Sequence, residues 1–101
     1  MQHLQVHAKS GFHVLAGTDR SEAAAMVLAG GESTGGPDNR RLGSDQWLFV
    51  IAGRGRAVVA GQEVALGKGS LLLIEAGEAH QIENSASEPL ATLNFYAPPE
   101  Y

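Results

Sequence analysis

Four histidines, His3, His7, His13 and His80, are the side chains of this sequence best suited to moving protons or holding a metal. Cysteine is absent, which removes the thiol nucleophile, the zinc ribbon and the disulfide framework together. His80 sits just after a Gly77 turn, and two polar groups precede a long apolar run upstream: Pro37-Asp38-Asn39-Arg40-Arg41 and Asp45-Gln46. No Ser/His/Asp triad is legible, and neither Tyr96 nor Tyr101 has a recognisable catalytic neighbour. Three chemistries remain. An imidazole can ligate a metal, it can act as a general base beside an arginine, or an arginine can fork onto a carboxylate or phosphate.

Whatever holds these residues in place is built from short strands. The chain has 101 residues, room for one domain, 1–101, with a modest core. Its 44% apolar and 18% charged content suits a compact globule rather than a disordered chain. The 13 glycines fall between short apolar runs, the rhythm of an all-β sandwich or barrel. Strands are expected at Leu4–His7, Phe12–Ala16, Ala23–Leu28, Trp47–Ala52, Arg56–Ala60, Glu63–Leu66, Leu71–Glu75, His80–Asn84 and Leu90–Tyr96. Ala23-Ala24-Ala25-Met26 has helical propensity, but Gly30-Gly31 follows too soon for a helix, so a strand is expected there. Ala60-Gly61-Gln62 reads as a tight hairpin. The stretch from Gly30 to Asp45 is the longest irregular segment, and Pro98-Pro99 ends the sheet.

The charge pattern excludes several partners. The net charge is −4, and of seven basic residues only Arg40-Arg41 and Arg54/Arg56 cluster, so no phosphate-tracking stripe exists for nucleic acid. No run approaches a membrane span, no basic amphipathic helix is present, and the N-terminus lacks a signal pattern. A cytoplasmic protein is the default expectation. Trp47-Leu48-Phe49-Val50-Ile51 and Leu71-Leu72-Leu73-Ile74 are apolar without alternation, so these strands are expected to be covered on both faces. A second subunit is the natural cover, which predicts a homodimer.

From Gly69 to Asn84 the sequence carries Gly, five residues, Glu75-x-Gly77, two residues, His80, three residues and Asn84. This resembles the second motif of the cupin superfamily, with Glu75 standing where that motif has proline. Asp45-Gln46 through Gly53 resembles the end of the first motif, where a Glu precedes a Gly by seven residues. Ala23 to Gly31 resembles the strand and turn before it. The resemblance covers about residues 23–97 and implies a double-stranded β-helix, the jelly-roll barrel of that family. It also implies a metal site made of a His-x-His pair, a Glu and the His of the second motif. Here Asn39 and Arg41 fall at the paired histidines, Gln46 at the Glu, and only His80 is retained.

That donor set is a poor one for a metal. Amides are weak donors to transition ions, and a guanidinium has no lone pair to give. Arg41 would also repel the ion by about 8 kcal/mol at roughly 4 Å and an effective dielectric near 20. The expectation is therefore no metal and no other cofactor. The pocket of Asn39, Arg41, Gln46 and His80 should instead bind a small anionic metabolite through hydrogen bonds. Asn84 is expected to be structural, and Trp47 and Phe49 to face away from the pocket. The alternative is a metal-dependent enzyme of dioxygenase, isomerase or lyase type. It would use a shifted ligand set in which His3, His7 or His13 joins His80 and Asp38 or Asp45, with His3 and His7 sharing a strand face. A third reading is an interaction module, which would need a further domain to be legible. Fold alone supplies no activity, so whether the protein is an enzyme stays open at this point.

Overall fold

The computed structural model describes residues 1–35 and 43–101. Among them there is no helix, and eight strands account for the regular structure: β1 (Gly11–Gly17), β2 (Glu22–Leu28), β3 (Asp45–Ala52), β4 (Arg54–Val59), β5 (Gln62–Gly67), β6 (Leu71–Ile74), β7 (His80–Glu83) and β8 (Leu90–Ala97). They form two antiparallel sheets, one in the order β1-β2-β8-β3-β6 and one in the order β5-β4-β7. This is the jelly-roll that the two motifs imply.

Alternation decides which side chains face inward. On β2 the buried positions are Glu22, Ala24, Met26 and Leu28, and on β3 they are Gln46, Leu48 and Val50. On β8 they are Leu90, Thr92, Asn94 and Tyr96. Leu48, Val50 and Leu90 are fully buried and meet Ala57, Ile74 and Ile82 to form the core. The alanines of β2 hold a strand against their helical propensity because β1 and β8 pair with them on both sides. Sheet context overrides an intrinsic preference of a few tenths of a kcal/mol.

Eight of the nine expected strands are present. The exception is Leu4–His7, which has no regular structure. Its alternation suits a strand, but a strand also needs a ladder partner. Leu4 instead lines a surface groove with Ala23 and Phe95, and Ala8 another with Val27 and Ala91, on the outer side of the first sheet. With no ladder, His3 and His7 do not share a strand face.

The turns bear out the glycine reading. Ala60 and Gly61 both take positive φ, 50° and 81°, closing the β4–β5 hairpin in two residues. Gly77, φ 87°, turns the chain between β6 and β7. Glu75, at the proline position of the motif, uses the N–H that proline would lack, donating it to Glu78 Oε1 at 2.8 Å. Asn84 Nδ2 donates to the carbonyls of Leu28 (2.9 Å) and Glu88 (2.7 Å), and its Oδ1 accepts from Ala86 N–H at 3.0 Å. It is the structural residue its position suggested.

Candidate functional site

A cavity of about 350 Å³ opens between the two sheets. Gln46 from β3, Met26 from β2 and Tyr96 from β8 supply one wall; His80 and Ile82 from β7 supply the other. Thr34 and Gly35 border it as well. They are placed by a short ladder to β7, in which Thr34 N–H donates to Ile82 C=O and Thr34 Oγ1 accepts from Ile82 N–H. The two sheets therefore bring Gln46 and His80 to one cavity, as their motif positions imply. Asn39 and Arg41 lie outside the described residues, as do Asp38 and Arg40.

Gln46 faces inward because it shares the phase of Leu48 and Val50. Its side chain is 5% exposed, and its Nε2 donates to Asn94 Oδ1 at 3.2 Å. Asn94 Nδ2 donates in turn to Thr92 Oγ1 at 3.2 Å. Asn94 and Thr92 are almost completely buried, so these amides and the hydroxyl make a polar row inside an apolar barrel. Among the described residues Gln46 Oε1 has no hydrogen-bond partner. A buried unpaired acceptor costs about 1–3 kcal/mol, and this one borders a cavity where a donor can meet it.

His80 is also buried, 3% exposed. Its Nδ1 contacts the Glu78 carbonyl at 3.2 Å. A carbonyl only accepts, so Nδ1 carries the proton in that contact and, in the neutral ring, Nε2 carries the lone pair. The β6–β7 turn thereby helps to orient the ring. Asp45 is engaged elsewhere: its Oδ1 accepts from Ala76 N–H at 2.9 Å and braces the same turn.

The motif resemblance implies a metal at this position, and the donor set among the described residues does not fit one. Where a carboxylate ligand belongs there is an amide already bonded to Asn94. His13 Nε2 lies 2.7 Å from Ser10 O, and its neighbour Phe12, not His13, lines the cavity. Among the described residues no three of His, Cys, Asp and Glu come together as a metal would need. The shifted ligand set is not assembled there either.

Several residues of the cavity escaped the sequence reading. Thr92, Asn94 and Tyr96 carried a signal, since polar groups alternate in phase with Leu90 along an apolar strand. Phe12 and Tyr101 carried none. They meet only in three dimensions, with ring centroids 4.8 Å apart, and both stand near Tyr96.

On the surface, Arg56 pairs with Glu63 (2.8 Å) and with Glu83, so one arginine of the Arg54/Arg56 cluster belongs to an exposed ion-pair group on the second sheet. Those carboxylates raise the Arg56 pKa above its ordinary value, Glu83 contributing most through its hydrogen bond. No helix of the described residues is long and apolar enough to cross a membrane.

Comparison with known proteins places these features in context. The sequence profile described as Cupin domain matches residues 24–96. The chain superposes on the crystal structure of BH2720 from Bacillus halodurans with a TM-score of 0.87 and 25% identity, covering 93% of this chain and 74% of that one. A cupin protein from Bacteroides fragilis gives 0.80 and 19%, covering 96% and 83%. A predicted oxalate decarboxylase from Thermotoga maritima gives 0.71 and 26%, covering 77% and 66%. No curated protein matches the chain in sequence.

Proposed function

The chain belongs to the cupin family, and from that membership we propose that it is a metal-free cupin whose barrel binds a small anionic metabolite. The observation that carries this reading is Gln46. It puts a neutral, buried, hydrogen-bonded amide where the family's motif has a metal-binding carboxylate, and leaves its oxygen facing no partner among the described residues. His80 adds an imidazole to the same cavity. The anionic preference rests on Arg41, which stands at a motif position whose usual residue points into the barrel. A fold neighbour named for oxalate, itself a small dianion, agrees in ligand class.

Succinate titrated into the purified protein, followed by isothermal calorimetry, tests the reading. Wild type should bind it, and Arg41→Ala should weaken binding about 10-fold or more, the worth of a lost charge-assisted hydrogen bond. Equal affinity in the two proteins would refute the role of Arg41. Elemental analysis of the same preparation should find no stoichiometric iron, manganese, nickel or zinc. One equivalent of any of them would favour the metal-dependent enzyme instead.

We also propose that the protein works as a homodimer. The outward positions of β3, β6 and β8 form a continuous apolar face: Trp47 stands between Leu73 and Phe95, and Phe49 between Leu71 and Leu93. Leu71 is 61% exposed, Trp47 42% and Phe95 41%, so among the described residues the N-terminal segment leaves much of this face uncovered. The six side chains just named carry no charge, so a second copy can lie on them without burying an unpaired ion. Light scattering at micromolar concentration should give twice the monomer mass for wild type. Phe49→Lys should give the monomer mass; a monomeric wild type would end this proposal.

A further inference from the structure

We infer that Gln46 and Thr34 are specificity-determining residues, and that the cavity selects a small anion carrying a hydroxyl group. The inference rests on the anion-binding reading above and adds the ligand's second functional group. It begins with the direction of the buried polar row. Gln46 Nε2 donates to Asn94 Oδ1, and Asn94 Nδ2 donates to Thr92 Oγ1. Because Asn94 Oδ1 accepts, Gln46 turns its nitrogen toward the row and its oxygen away from it. That oxygen is shut off from bulk water and has no partner among the described residues. A buried acceptor in this state favours any guest that brings it a donor. The cavity that Gln46 lines is where such a guest arrives.

Thr34 supplies the opposite polarity, and it does so from the other sheet. It is laddered to β7, and its Oγ1 accepts the Ile82 N–H at 3.1 Å. A hydroxyl that accepts through its oxygen still has its proton to give. Thr34 borders the same cavity as Gln46. The cavity therefore has a proton acceptor on β3 and a proton donor beside β7. A ligand carboxylate satisfies Thr34 but has no proton for Gln46 Oε1, so the guest needs a second group. The lining says which. Among the described residues no Asp or Glu lines the cavity, so an ammonium group would be buried without a protein counter-charge. A hydroxyl donates without carrying charge. The class that fits is a small hydroxycarboxylate.

The probes are succinate, malate and aspartate, the last two as both enantiomers. They share one dicarboxylate skeleton and differ at a single carbon, which bears hydrogen, hydroxyl or ammonium. Calorimetry on one protein preparation gives each dissociation constant, and their ratios do not depend on the folded fraction. Wild type should bind one malate enantiomer about 2- to 10-fold more tightly than succinate, the worth of one neutral hydrogen bond. Aspartate should bind no more tightly than succinate. Gln46→Met should bring the malate-to-succinate ratio close to one, which a merely structural role for Gln46 would leave unchanged. Thr34→Val should weaken malate and succinate together, about 10-fold or more, since both present a carboxylate to it. Thr34→Ser, which keeps the hydroxyl, should not. No malate preference, a preference that persists in Gln46→Met, tighter binding of aspartate than of malate, or unaltered affinities in Thr34→Val would each overturn the inference. Succinate binding would still leave the anion reading intact in those cases. Binding of none of the probes would overturn both.

Discussion

Gly53→Ala should prevent folding or remove at least about 4 kcal/mol of stability, a large share of the roughly 5–15 kcal/mol a domain has. Gly53 is the corner at which the chain leaves β3 in the first sheet and enters β4 in the second. Its φ is +85°, where a side chain costs about 1–2 kcal/mol. Lack of space costs more. A Cβ there would stand 2.2 Å from Pro89 O and 3.0 Å from Leu90 Cα, backbone atoms at the entrance to β8 that cannot swing aside. Gly61 is the control, with φ +81° and nothing within 4 Å of the equivalent Cβ. Urea unfolding of Gly61→Ala should show only the conformational cost of about 1–2 kcal/mol. Equal losses in the two variants would mean that the close approach at Gly53 is unimportant. The corner also bears on the site, because it sets β3, with Gln46, against β4 and β7, with His80.

Asn84→Ala should cost about 3–5 kcal/mol, the second large effect. Asn84 is 1% exposed and its side chain holds three backbone groups at once, two carbonyls and one N–H, drawn from the end of β2 and the β7–β8 loop. Truncation leaves all three without this partner. Asn84→Asp is the sharper test, since it puts an acceptor against the Leu28 and Glu88 carbonyls that now receive N–H groups. At neutral pH it should be at least as damaging as alanine. Those carbonyls and burial raise the folded-state pKa of the new carboxyl above the unfolded value of about 3.9. The deficit relative to wild type is then full above the folded pKa and shrinks as pH falls through it toward the unfolded one. A deficit that grew on acidification would contradict the assigned direction of these hydrogen bonds.

Much of the fold was readable because burial in a strand repeats every second residue. Glycine breaks and apolar runs marked eight strands, and the phase of β3 correctly put Gln46 inside and Trp47 and Phe49 outside. The phase of Leu4–His7 was equally good and no strand formed, since alternation describes a face and says nothing about whether a ladder partner is available. The site was readable to the extent that it lies on one strand or one turn. Gln46 and His80 reach a common cavity because each follows from a local motif, and the orientation of the His80 ring follows from the Glu78 carbonyl two residues away. The phase of Asn94 and Thr92 with Leu90 was legible along β8, but their meeting with Gln46 needs the register between β8 and β3, which no spacing along the chain encodes.

By itself the order of residues determined the strand rhythm, the family, and the loss of the usual ligands at positions 39, 41 and 46, all properties of neighbours in sequence. Only the tertiary structure decided what the buried Glu22 is for. Its partners, the N–H groups of Glu100 and Tyr101, are 78 and 79 residues away, and a carboxylate's role is set by which donors folding brings to it. The same holds for the contact of three aromatic rings. Phe12, Tyr96 and Tyr101 come from opposite ends of the chain, and their contact exists only because β2 pairs with β1 on one side and β8 on the other.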